Sequence, residues 1–245
     1  KNDVIWVDLN VLPRQGRSIG GHITSINQEE ILGFETSCNP NKILGVCSKS
    51  FNKKFPLSTV IFLLWLYNVE IPKNLLSKML ILHSDSSWLK AQHYKKNIIN
   101  WTNILSGYSW SWLLNNIDSN VYEQRVNDLL YPSLNAIYAT SGYSKLSSKH
   151  LNIQSRELKI NPDHDQDIIQ NLFNLFATTL KWTPPKLPII SSRVDGLKNK
   201  ISLEVIKGIG LKHFLKENKV FSYAITSPKS LTYTSFGYKN KSPII

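Results

Sequence analysis

A chain of 245 residues with 42% hydrophobic side chains holds enough apolar material for one large core or two modest domains, which excludes a low-complexity or disordered polymer. Its longest unbroken apolar run, Val60 to Tyr67, falls far short of the roughly twenty residues that cross a bilayer, so no membrane partner is expected. Lysine and arginine outnumber the acids 29 to 17, and eleven of those cations against three acids lie in Lys186 to Ile245, so +8 of the net +12 sits in the last quarter of the chain.

From the N-terminus, Lys1 to Asp8 alternates charged and apolar side chains and lacks the apolar core and small-residue cleavage site of a secretory signal. An intracellular protein, or one whose address has been removed, is expected. Val4 to Val11 reads as a strand, followed by a turn-rich stretch, Pro13 to Gly21, that carries Arg14 and Arg17. His22 to Ile26 and Ile31 to Thr36 alternate briefly with polar residues, which suggests a small meander. Cys38 and Cys47 flank an Asn-Pro-Asn turn; two thiols without a His or Cys cluster are too few for a zinc site, and free, partly buried cysteines are expected. Residues 1–56 thus form a β-rich segment.

The character changes over residues 57–185, where apolar positions recur at helical spacing. Ser58 is a natural N-cap, and Pro72 sits where a second helix can begin. Trp88, Trp101, Trp110 and Trp112 crowd the next stretch and supply an aromatic core. A further helix is marked by Asp163 as cap, by Asp165 and Asp167 against its N-terminal dipole, and by a stripe of Ile169, Leu172, Phe173, Phe176 and Leu180. It must end near Trp182, because Pro184, Pro185 and Pro188 cannot continue it.

Residues 186–245 make a basic C-terminal α+β domain. Strand-like runs cover Ile189 to Val194, Ile201 to Ile206, Val220 to Thr226 and Leu231 to Phe236, with an amphipathic turn at Leu211 to Lys216. The fold class expected is α+β, a mainly helical, Trp-rich middle with small mixed β-sheets at the N- and C-terminal ends. Lys198, Lys200, Lys207, Lys212, Lys216 and Lys219 lie on short elements around one expected sheet, where their ammonium groups could join into one positive face for a polyanion. Arg193 can fork onto two phosphate oxygens, and Lys239, Lys241, Arg14 and Arg17 extend the candidate set. Tyr223, Tyr233, Phe236 and Tyr238 offer faces on which unpaired bases could stack.

The stretch Ile190-Ser191-Ser192-Arg193-Val194-Asp195-Gly196 is similar to the Ile-Ser-Gly-Arg-Leu-x-Gly signature that opens the C-terminal domain of the family of small-subunit ribosomal protein three. The elements that follow in that family have counterparts in order: Ile201 to Lys207, Gly208, Leu211 with Leu215, Tyr223, and Thr232-Tyr233-Thr234-Ser235-Phe236-Gly237. The Gly-x-x-Gly loop of the family's upstream RNA-binding domain has no counterpart, so the chain resembles a divergent, organelle-type member. The resemblance implies a non-enzymatic RNA-binding component of a mitochondrial small ribosomal subunit, placed near the head where mRNA enters. Its partners are then ribosomal RNA and neighbouring ribosomal proteins, and no cofactor is needed.

A second class of function remains open. Asp195, Glu204 and Lys207 resemble the two acids and lysine of metal-dependent DNA nucleases, although one extra residue between Glu204 and Lys207 sends them to opposite faces of a strand unless a bulge intervenes. Arg17 to His22 partly resembles a pyrophosphate loop, yet strand-forming residues follow it where a helix is needed. His164 between Asp163 and Asp165 reads as part of a helix start rather than a metal site, and His83 with Ser84 and Asp85 lacks the convergent geometry of a hydrolase triad.

Overall fold

A computed structural model of the chain describes residues 5–12, 15–28, 37–105, 110–117, 119–139, 166–184 and 196–236. The fold is α+β. Three short parallel strands, β1 (Ile5–Val7), β2 (Arg17–Ile19) and β3 (Ser37–Cys38), pair in the order β1-β2-β3. The antiparallel meander expected here is corrected: His22 to Ile26 contributes only a single bridge, at Ile23, and Ile31 to Thr36 lies outside the described residues. Gly20 lies where β2 leaves the sheet, and a Cβ on it would stand 2.8 Å from the carbonyl oxygen of Leu9, so only glycine lets the two segments approach this closely. Helix α1 (Pro40–Ile43) follows β3, with Asn39 as its cap and Pro40 in the first turn, where a missing N–H costs nothing. Cys38 and Cys47 are both free.

Eight helices make the described part of the middle. In α2 (Thr59–Leu66), Ser58 caps the first turn by accepting from the Ile61 amide at 3.4 Å. Helix α3 (Leu75–His83) starts from Asn74 rather than Pro72, because the Asn74 side chain can accept from the Ser77 amide, at 2.9 Å, and proline has nothing to offer. Met79, Leu80, Ile81 and Leu82 are all buried in α3, which is therefore the central helix of this unit. Around it follow α4 (Ser87–His93), α5 (Lys95–Ile104), α6 (Trp110–Leu114), α7 (Asn120–Arg125), α8 (Tyr131–Ala139) and α9 (Gln166–Leu180). One π turn, Val126–Leu130, joins α7 to α8. It falls just before Pro132, whose ring crowds the carbonyl four residues earlier and whose nitrogen has no hydrogen to give. Buried Lys78 sends its ammonium to the Asn115 side-chain oxygen at 2.7 Å and to the Asn115 carbonyl, just beyond the end of α6, where the helix dipole favours a cation. Helix α9 ends at Leu180, and Lys181 takes a left-handed φ of 56°, which turns the chain before Pro184. The expected cap of α9, Asp163, lies outside the described residues.

The C-terminal segment runs β4 (Gly196–Ser202), α10 (Leu203–Ile209), α11 (Leu211–Glu217), β5 (Val220–Ser227) and β6 (Ser230–Phe236), and its sheet is antiparallel in the order β4-β6-β5. The strand expected over Ile201 to Ile206 is corrected to a strand end and a helix. Ser202 accepts from the Glu204 amide at 3.3 Å, Glu204 lies in the first turn, and Leu203 and Ile206 are buried together three residues apart. Ile189 to Val194 lies outside the described residues.

Beside the three consecutive regions expected, 1–56, 57–185 and 186–245, the chain divides into two compact units. One is the helical middle, from Pro56. The other joins the described residues up to Phe55 with those from Gly196 onward, since the N-terminal segment completes the free edge of β5. Val11 bridges to Ser222 and Ile23 to Ile225; the Tyr223 amide donates to Asn10 at 3.1 Å and the Ile225 amide to Ile23 at 2.8 Å. An edge strand left bare exposes a row of unpaired backbone groups, and this pairing removes that liability. The Tyr223 hydroxyl adds a bond to the Thr24 carbonyl at 3.0 Å.

Candidate nucleic-acid interface

Alternation along β4 sets the direction of its cations. Leu197, Asn199 and Ile201 are half-buried while Lys198, Lys200 and Ser202 are exposed, the period of two that a strand with one covered face must show. Register then supplies their neighbours. Lys198 pairs with Thr234 and Lys200 with Thr232 on β6, and these threonines pair in turn with Ser222 and Ala224 on β5. One face of the sheet therefore exposes Lys198 and Lys200 at its β4 edge, beside half-buried Thr232 and Ala224 and buried Thr234 and Ser222. The other carries Asn199, Tyr233 and Tyr223 in one row, and Phe214 of α11 packs edge-on against Tyr233 with ring centroids 5.1 Å apart, so α11 covers that face.

The basic residues consequently fall on more than one side, which corrects the single positive face expected from the sequence. Lys198 and Lys200 stand on the face away from α11, whereas Lys207, Lys212 and Lys216 are exposed on the helical layer. Lys207 is also paired, with its ammonium 2.7 Å from the Glu204 carboxylate one helical turn away. Lys219 is exposed in the turn ahead of β5, and Arg17 is exposed on β2 in the separate parallel sheet. Arg14, Arg193, Lys239 and Lys241 lie outside the described residues. Tyr223 and Tyr233 are buried, and burial pushes the Tyr233 phenol above its usual pKa; neither ring is available for stacking. Phe236 is 39% exposed and packs against Phe221 at 5.1 Å, which packs in turn against Trp6 at 5.0 Å.

Where the N-terminal segment meets the lysine-bearing face, a cleft of about 270 Å³ opens. Asp8, Asn10 and His22 line one side, and Lys198, Thr232 and Thr234 the other. A buried asparagine network holds the first wall: Asn39 Nδ2 donates to Asn10 Oδ1 at 2.9 Å and to the His22 carbonyl at 2.6 Å, while Asn41 Nδ2 donates to the Gly21 carbonyl at 2.8 Å. The second wall is held by the ladder of β4, β6 and β5. Thr232 and Thr234 were legible as alternate positions of a strand. Asp8, Asn10 and His22 carried no local signal, because their place depends on pairing with residues some two hundred positions away.

Glu204 and Lys207 share the exposed face of α10, not two faces of a strand, and pair with each other. Asp195 lies outside the described residues. Among the described residues no three His, Cys, Asp or Glu side chains gather where they could hold a metal ion, and no helix is long and apolar enough to cross a membrane. Comparison of the chain with protein-family models, with curated proteins and with solved structures finds no match.

Proposed function

We propose that this chain is a structural RNA-binding protein, an architectural component of a small ribosomal subunit of mitochondrial type. The observation that carries the RNA-binding part is the face of the C-terminal sheet on which exposed Lys198 and Lys200 stand in line, with half-buried Thr232 and buried Thr234 beside them on β6. Lysines at alternate positions of one strand lie roughly 7 Å apart, a spacing that suits successive phosphates of an extended strand. The half-buried Thr232 hydroxyl beside them can bond phosphate and sugar oxygens without reading sequence. Exposed Lys212 and Lys216 add charge on the helical side and steer a polyanion toward the unit at long range.

The ribosomal part is supported by the resemblance of residues 190–237 in order and residue type. One position in that stretch has a steric reason: a Cβ on Gly196 would lie 2.7 Å from Thr234 Cγ2 and 2.8 Å from the Ser235 carbonyl oxygen, so glycine is demanded where β4 meets β6. Nothing among the described residues favours the nuclease alternative: Glu204 stands on a helix surface beside Lys207, and no three metal-ligating side chains gather among the described residues.

Filter binding of a short single-stranded oligoribonucleotide across a salt series tests the reading. Neutralising Lys198 and Lys200 to glutamine lowers the slope of log affinity against log salt by about 1.4, the release of two phosphates' counterions from a single strand. The same change at Lys95 and Lys96, which are exposed in the helical unit, leaves the slope unaltered. Equal slopes for wild type and the Lys198/Lys200 variant would refute the interface. Native protein that sediments away from the small subunit would refute the ribosomal assignment.

A further inference from the structure

The cleft beside Lys198 differs in kind from the rest of the basic surface, because it sets a cation, a carboxylate, hydroxyls and an amide around one small volume. At about 270 Å³ it lies below the ~300–1,000 Å³ of pockets for drug-sized ligands, so it has room for one small polar unit and not for a length of strand. Asn10, which lines it, is only 4% exposed, yet its Nδ2 has no hydrogen-bond partner. The orientation of that amide is settled by its neighbour: Asn39 Nδ2 donates to Asn10 Oδ1, so rotating the amide would set two donors against each other. A buried donor without an acceptor is costly, but this one is enclosed out of a ligand's reach, so the polar groups that a ligand can meet in the cleft are those of exposed Asp8 and Lys198 and half-buried Thr232. Asp8, also in that wall, holds a left-handed φ of 63°, a conformation that a residue with a side chain pays to keep.

We infer that this cleft is a ribose–phosphate subsite, taking one nucleotide of the bound RNA with its phosphate on the Lys198 ammonium and its 2′-hydroxyl donating to the Asp8 carboxylate. A carboxylate only accepts, so it selects a ligand that brings its own hydroxyl hydrogen; a phosphate does not, and the 2′-hydroxyl does. Lys198 stands on the opposite wall, where it can meet the phosphate of the same nucleotide. The inference rests on the RNA-binding reading of this surface and adds to it a readout of the sugar.

The test compares a short single-stranded oligoribonucleotide with its 2′-deoxy counterpart of the same sequence, bound to the full chain and to Asp8→Asn, Lys198→Gln and Lys212→Gln/Lys216→Gln variants. Asparagine tolerates a positive φ as aspartate does, so Asp8→Asn changes the chemistry and keeps the backbone. Wild type is expected to prefer the ribo form several-fold. Asp8→Asn removes that preference, and Lys198→Gln weakens both forms and lowers the salt slope by about 0.7. Equal binding of ribo and deoxy forms by wild type overturns the subsite and leaves RNA binding standing. So does a result in which only the Lys212/Lys216 variant weakens binding. Failure of wild type to bind either form overturns both proposals together.

Discussion

Asn39 spends every polar atom of its side chain. Its oxygen accepts from the Asn41 amide at 2.9 Å, which caps α1, while its nitrogen donates to Asn10 Oδ1 and to the His22 carbonyl. Removing it leaves the buried Asn10 oxygen and the partly buried His22 carbonyl without this donor and one helix start without a cap, so Asn39→Ala should destabilise the chain by about 2–3 kcal/mol, read as a shift of the urea midpoint. Asn39→Asp separates the two roles. Aspartate caps as well as asparagine but cannot donate, so the Asp variant should lose nearly as much as the Ala variant. An Asp variant close to wild type would show that the cap, and not the donor pair, matters. Nothing in the sequence around Asn39-Pro40-Asn41 beyond a turn signal announces this role, because both acceptors are remote along the chain.

At the level of elements, the connection between α10 and α11 turns on Gly210, whose φ of 83° and ψ of 133° no residue with a side chain adopts without strain. A Cβ there meets nothing within 4 Å, so the penalty of Gly210→Ala is the backbone alone, about 1–3 kcal/mol. Two residues earlier Gly208 is helical and equally unobstructed, and Gly208→Ala should stabilise by up to about 1 kcal/mol through helix propensity. Thermal unfolding of the two variants gives opposite shifts. Local elements were legible to different degrees for physical reasons. Ser58 before an apolar run and Pro184 after one are backbone chemistry that any context obeys, and β5 and β6 alternate plainly. The stretch from Ile201 to Ile206 misled because three β-branched residues favour a strand, and the burial of Leu203 and Ile206 under the sheet overrode that preference. Lys207 moved with them, from a strand face to a helix surface where it pairs with Glu204.

For the whole molecule, the joining of the two chain ends has a mechanical consequence. The C-terminal sheet carries a free β5 edge unless Asn10, Val11 and Ile23 cover it, and Tyr223 loses its bond to Thr24. A fragment of residues 186–245 alone should therefore show no cooperative unfolding transition by circular dichroism, and mixing it with residues 1–55 should restore one. A transition in the isolated C-terminal fragment would show that the N-terminal segment decorates a sheet already stable without it. The discontinuous unit also places long-range pairing between the first and last parts of the chain, which must close after the intervening helical residues are made.

What the chain determined by itself was what local chemistry decides: a basic C-terminal quarter, a helical middle bounded by proline, caps at Ser58, alternating strands at Val220 and Leu231, and hence an α+β fold. Tertiary structure alone decided which sheet face received α11, and so divided the lysines that composition had grouped together. It also brought Asp8 and Asn10 to the same cleft as Lys198. The reason is that side-chain direction in a strand has only two values, and burial chooses between them only when a partner element arrives; edge pairing between distant segments is stabilised by backbone hydrogen bonds that are the same for every sequence and so leave no pattern to read.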